Sequence, residues 1–166
     1  MSECISESDC IDHLLRAGCP ERVIAHARAV RRVVDDYTGD EAVLGSLAEC
    51  GALLHDIGRS KSRAIDHAII GGDICREAGI SEDIALIVER HLGAGQTADE
   101  CIQLGLTPRN CMPVTLPEKI VAHADNLVKG TSMIHIDERM IRIADLPRKK
   151  RHRTYHLALE MELFSR

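Results

Sequence analysis

Residues 48–61 read AECGALLHDIGRSK, and the rest of the chain is organised around this stretch. An apolar helical run, Leu44, Leu47, Ala48, Leu53 and Leu54, leads into the adjacent pair His55 and Asp56. Gly58 follows where a helix needs a left-handed C-cap, and Arg59 and Lys61 come directly after it. An imidazole beside a carboxylate at a helix end, followed by two cations, sets metal-binding groups next to phosphate-binding groups. The pattern points to a metal site for phosphate chemistry.

Composition bounds the fold. A chain of 166 residues, 45% of them hydrophobic, suffices for one packed core and one domain. Aromatic residues make up only 2%, so Leu, Ile, Val, Ala and Met must fill that core, which suits close-packed helices better than a sheet. An all-α protein is expected. At a net charge of −5, with both signs spread along most of the chain, nothing at the level of the whole protein suggests a surface built to coat nucleic acid, and residues 148–153 are the local exception. The start MSECISESDC is polar and acidic, unlike a secretory leader, and no apolar run is long enough to cross a bilayer, so no membrane partner is expected. Seven widely spaced cysteines without a C-x-x-C pair read as reduced thiols filling core positions in a cytoplasmic protein, not as a disulfide frame or thiolate zinc site.

Turn signals divide the helical periodicity. A first helix is expected over Ser8 to Ala17, capped by Ser8 or Asp9, and a longer one after Pro20 that closes near Gly39. Asp40 or Glu41 opens the helix of the central stretch. Asp66 caps the next, Ser81 caps one running to Gly93, and Thr97 caps a brief one to Leu104. Pro117 starts EKIVAHADNLVKG, with Ile120, Val121, Ala124, Leu127 and Val128 as its buried face. Residues 130–135 show no period; short helices are expected over Asp137 to Ile143 and Lys149 to Phe164.

Six chemically apt residues occur in the order His26, His55–Asp56, His67, His91 and Asp125, each near a helix end or an inward position. Taken alone, His26 reads as a satisfied histidine at a helix margin, and His91 as a C-terminal histidine favoured by the helix dipole. Asp125 is different, because an unpaired carboxylate among apolar neighbours is costly to bury. His123 lies two residues from it and must point to nearly the opposite side of the helix. Imidazole and carboxylate together suit Fe, Mn, Ni or Zn.

The order His, His-Asp, Asp resembles the HD superfamily of metal-dependent phosphohydrolases, and HDIG at residues 55–58 matches its best-known signature. His67 and His91 resemble the dinuclear branch, which includes cyclic-dinucleotide phosphodiesterases of the HD-GYP kind and bacterial diadenosine tetraphosphate hydrolases. HDIGRSK, DHAIIGG, ERHLGAG and EKIVAHADN together are most similar to small stand-alone HD proteins of archaea. The resemblance implies an HD-type helical bundle filling residues 1–166, with a motif-bearing core over about 20–129 and a basic extension over about 137–166. It also implies a first metal on His26, His55, Asp56 and Asp125, with Asp56 bridging to a second held by His67 and His91. Two such ions about 3.5 to 4 Å apart bridge a hydroxide that attacks phosphorus.

The resemblance has gaps. The GYP run is missing, since LGAGQT follows His91, and relatives of that branch usually carry lysine where this chain has Arg59. Arginine clamps phosphate but is a poor proton donor, which leaves protonation of the leaving group to Lys61 or a metal-bound water. Lys129, one turn beyond Asp125, is a candidate at the pocket rim. The expected activity is hydrolysis of an ester or anhydride in a small nucleotide, with Asp56, Arg59 and Lys61 as catalytic candidates and Arg59, Lys61 and Lys129 binding substrate. Alternatives are a non-catalytic HD module that binds a nucleotide or partner protein, and an RNA-processing phosphodiesterase guided by the basic run 148–153. RNA is the less favoured partner, because Tyr37, Tyr155 and Phe164 are the only stacking platforms. The last helix packs either on its own core or on a second copy of the chain.

Overall fold

The computed structural model describes residues 5–165; Cys4 and the rest of the first four residues lie outside that range. Among the described residues nine α-helices run in order: α1 Glu7–Ala17, α2 Glu21–Thr38, α3 Ala42–Leu54, α4 His67–Glu77, α5 Glu82–Glu89, α6 Ala98–Gln103, α7 Leu116–Asn126, α8 Ile136–Arg142 and α9 Arg148–Met161. A 3₁₀ turn over Ile57–Ser60 follows α3. The segment without a helical period forms a two-stranded antiparallel hairpin, β1 Val128–Lys129 and β2 Ser132–Met133. The fold is all-α, as the composition leads one to expect.

Helix α3 is the axis. It packs against α1, α2, α5 and α7, and Ala48, Cys50, Gly51, Ala52, Leu53 and Leu54 are all buried. A helix whose C-terminal end is apolar all round has to run into the inside of a bundle. One core cluster joins Val30, Val34, Ala52, Ile87, Ile120 and Met161; a second joins Leu14, Val23, Ile24, Leu53, Leu54 and Ile57. Each fully buried aliphatic side chain contributes about 1.5–3 kcal/mol. The six described cysteines are all buried, as core-filling thiols.

Several element ends differ from expectation for local reasons. Helix α1 begins one residue earlier, at Glu7, because Ser6 caps it in a capping box with Asp9. Asp66 does not cap α4: its backbone is already helical and its carboxylate accepts the Ser62 hydroxyl instead. Helix α5 stops at Glu89, short of Gly93, where the Arg90 backbone leaves helical geometry (φ −106°, ψ 10°), and buried Glu89 sits in an ion-pair cluster. There it accepts from Arg76 at 2.7 Å and Arg109 at 2.8 Å, and Arg109 also holds Asp73 at 2.8 Å, tying the long loop before α7 to α4 and α5. Helix α7 starts at Leu116, with Thr115 and Glu118 as its capping box.

Gly58 departs most from its expected role. It lies within the 3₁₀ turn and is not among the glycines with positive φ, so a left-handed cap is not what it provides. A β-carbon there would lie 1.9 Å from the His67 carbonyl oxygen and 2.8 Å from the Gly71 nitrogen. The glycine lets the turn after Asp56 lie directly on the first turn of α4. Those clashes are with backbone, which has nowhere to move. Gly58→Ala is expected to destabilise the protein by about 3 kcal/mol or more, at or beyond the usual range for overpacking. Thermal unfolding would check this, and a loss within about 0.5 kcal/mol would contradict the packing described.

Candidate metal centre

The helix ends bring six side chains together. His55 is the C-cap of α3 and Asp56 follows it, His67 opens α4, and His91 lies two residues beyond α5. His26 projects from the second turn of α2 and Asp125 from the last turn of α7. His26 Nε2 lies 3.0 Å from Asp125 Oδ1, and His55 Nε2 lies 3.5 Å from the same oxygen and 3.7 Å from Asp56 Oδ2. On the other side Asp56 Oδ1 is 3.0 Å from His67 Nε2 and 3.7 Å from His91 Nε2. The imidazoles form a continuous row, with centroids 5.2 Å apart for His26–His55, 4.8 Å for His55–His91 and 5.3 Å for His67–His91.

The outer nitrogens show what the inner ones are for. Nδ1 of His55, His67 and His91 meets the backbone carbonyl three residues earlier, at Ala52 (2.7 Å), Ala64 (2.7 Å) and Val88 (2.6 Å). His26 Nδ1 meets the Gly130 carbonyl at 2.6 Å. A carbonyl can only accept, so Nδ1 carries the hydrogen and a neutral ring turns its Nε2 lone pair inward. Nε2 of His67 and His91 then face each other at 3.4 Å, and buried His55 Nε2 has no hydrogen-bond partner. Lone pairs converging on two carboxylates suit a cation, and backbone hydrogen bonds to the far nitrogen are the usual support of a histidine ligand. Two overlapping groups, His26–His55–Asp125 and His55–Asp56–His91, have ligand atoms within 4.8 Å of one another and could hold metal.

Electrostatics agrees. Burial works against a charged His55, but Asp56 and Asp125 outweigh it and raise its pKa to about 9. Burial, helped by the charge of His55, lowers His91 to about 4. Both carboxyls resist the opposing effect of burial and stay below the usual carboxylate range, Asp56 through His55 and His67, Asp125 through His26 and His55. In the protein alone, a proton on His55 supplies positive charge between the two carboxylates.

Among the sequence candidates, Arg59 reaches the cluster: its Nε donates to Asp56 Oδ1 at 3.2 Å and its Nη1 to the Arg63 carbonyl at 2.8 Å. Lys61 and Lys129 are exposed, and among the described residues neither side chain pairs with the cluster. His123 turns away from Asp125 and meets the Tyr37 hydroxyl at 3.2 Å. Gly95 has positive φ, and a β-carbon on it would lie 2.6 Å from Pro113 and 2.7 Å from the Cys111 carbonyl, so it serves packing against that loop. Two further residues bear on the site. Asn126 donates to the Gly93 carbonyl at 2.8 Å, pinning the segment behind His91, and its position next to Asp125 was a usable signal. Half-buried Arg139, on α8, feels the charge of Asp125, and its sequence context is unremarkable.

Comparison with known proteins fits this arrangement. Residues 21–130 match the HD domain family, and the chain belongs to it. HD domains bind divalent metals and are typically hydrolases. An uncharacterized protein of Methanocaldococcus jannaschii is 46% identical over 75% of this chain and 77% of its own length. A tRNA (cytidine(56)-2'-O)-methyltransferase of Thermoplasma volcanium is 39% identical over 87% of this chain, and one of Picrophilus torridus 41% identical over 81%. The chain spans only 41% and 39% of the length of those two enzymes. No solved structure matches it.

Metal-free protein should show the strain of this cluster as a pH profile. The stability that His55 contributes is complete below its unfolded value of 6.5 and is lost as pH rises through about 9. That of His91 is lost as pH falls from 6.5 through about 4, and buried His123, also lowered to about 4, acts the same way. Chelator-treated protein should therefore unfold at the highest temperature near pH 6.5, and saturating divalent ion should remove the alkaline decline. Identical alkaline profiles with and without metal would contradict this.

Proposed function

We propose that the chain is a metal-dependent phosphohydrolase that cleaves a phosphate ester or anhydride in a small nucleotide, using two divalent ions. The reading is carried by four inward-facing Nε2 atoms meeting two carboxylates, each ring fixed through Nδ1. His26, His55, Asp56 and Asp125 would hold one ion, and Asp56, His67 and His91 the other. Bound there, the ions would acidify water and polarise the phosphoryl group.

The chain's own part is positioning. Asp56 contributes one oxygen toward each side of the cluster, Oδ2 toward His55 and Oδ1 toward His67 and His91. Arg59 steadies Asp56 through Nε, and its Nη2, which forms no hydrogen bond among the described residues, is left to bind a phosphoryl oxygen. Lys61 and Lys129 would act from the rim, on parts of the substrate that reach solvent.

A second reading makes the phosphate part of an RNA. Two of the relatives above are named as tRNA methyltransferases, and residues 148–153 read RKKRHR in an otherwise acidic chain. Phosphate contacts of that kind weaken steeply with salt.

The test is a panel of nucleoside phosphates and labelled oligoribonucleotides offered to protein loaded with Mn, Fe, Ni or Mg. Turnover of nucleotides is expected in the wild type. Asp56→Ala should lose both metal retention and turnover, and Arg59→Gln should lower turnover by about 10- to 100-fold, the effect of one charge-assisted hydrogen bond of about 1.5–3 kcal/mol. Undiminished hydrolysis by Asp56→Ala would place the reaction elsewhere, and turnover confined to oligoribonucleotides would favour the second reading.

A further inference from the structure

A cavity of about 160 Å³ lies beside the histidine cluster, walled by Ile65, Leu92, Gly95, Leu146, Arg139 and Lys150. Its position follows from the chain. Leu92 directly follows His91, and the adjoining Gly93 carbonyl is held by Asn126, the neighbour of Asp125. One wall is thus fixed to residues on both sides of the cluster. The opposite wall comes from α8, α9 and the turn between them, beyond the 21–130 match, so the cavity is an addition of this chain's C-terminal segment.

Its chemistry is cationic on an apolar floor. Arg139 is half-buried, its Nε is buried without a hydrogen-bond partner, and among the described residues its guanidinium forms no ion pair. Lys150, also half-buried, forms none either. No carboxylate lines the cavity; the nearby Glu100 is occupied by Arg153 at 2.7 Å. Arg142, which also faces Arg139, pairs with Glu138 at 2.8 Å. Arg139 feels the charge of Asp125 and Lys150 acts on Glu100, but neither carboxylate pairs with them directly; half-buried cations without a direct partner favour an anionic ligand. The volume is well below the roughly 300 Å³ at which whole-ligand pockets begin, so one phosphoryl group or one ring fits and a complete nucleotide does not.

We propose that this cavity is a second-phosphate subsite, in which Arg139 and Lys150 hold a non-scissile phosphoryl group while its neighbour lies at the histidine–aspartate cluster. The inference rests on the phosphohydrolase reading and sharpens it: the substrate carries at least two phosphoryl groups. The second arrives either through an anhydride, as in a nucleoside diphosphate, or through a sugar, as in a 5'-phosphorylated dinucleotide. Arginine suits the task, because its planar fork matches phosphate oxygens and its charge is not titrated away.

Equilibrium titration of the manganese-loaded full chain with AMP, ADP and the 5'-phosphorylated dinucleotide pApA tests it. At least one of the two-phosphate ligands is expected to bind tenfold or more tightly than AMP. The double variant Arg139→Gln/Lys150→Gln should remove that advantage while AMP affinity stays within twofold and metal content is unchanged. ADP as the tighter ligand identifies an anhydride substrate, and pApA identifies a nucleic-acid end. Equal binding of all three, or an advantage that survives in the double variant, overturns the subsite. Hydrolysis of bis(p-nitrophenyl) phosphate, which carries a single phosphorus, is measured in parallel. Its absence with the binding contrast intact would refute the hydrolase reading and leave the subsite standing; its presence without the contrast would do the reverse.

Discussion

Four imidazoles packed edge to edge against two carboxylates, with every outer nitrogen held by the backbone, form an arrangement that the metal-free protein has difficulty satisfying. Three of the rings are bound to the carbonyl three residues behind them, at Ala52, Ala64 and Val88, and so depend only on local backbone at a helix start or end. The fourth, His26, depends on Gly130, which the short hairpin after α7 delivers from more than a hundred residues away. The inward nitrogens are the residue of these constraints. A buried His55 Nε2 without a hydrogen-bond partner would be a defect in an ordinary core. In the proposed metal site it would be a ligand.

The packing serves that convergence. The end of helix α3, from Cys50 to Leu54, has to be apolar on all sides because it delivers His55 and Asp56 to the centre of the bundle, and Gly51 permits the approach of Ile87 on α5, the helix that leads to His91. Gly58 and Gly71 let the turn after Asp56 and the body of α4 meet backbone to backbone, which sets His67 against Asp56. The Glu89, Arg76, Arg109 and Asp73 cluster ties the end of α5 to α4 and anchors the loop before α7. Helices α8 and α9 then add an outer wall that the HD family match does not include, with cations at its inner edge.

Much of this was legible in the sequence because helical periodicity and caps are local. The apolar runs of α2, α3 and α7 marked the core, and HDIG in that context marked the family. Less legible were features decided by contacts between distant segments. Gly58 looks like a helix cap from its neighbours alone; only the position of α4 shows that it is needed for close approach. Asp66 looks like an N-cap, but Ser62 takes its carboxylate. The ion-pair partner of Glu89 at the end of α5 is Arg109, far along the chain. Arg139 has no periodic or motif signal, and its relation to Asp125 comes wholly from the way α8 folds back.

The proposed phosphohydrolase requires two cations sharing one cluster. Anomalous diffraction from crystals of the manganese-loaded protein measures this most directly. Two peaks are predicted, one among His26, His55, Asp56 and Asp125 and one among Asp56, His67 and His91, with Asp56 between them. A map without anomalous density at either position, or with manganese bound only by surface carboxylates, would contradict it.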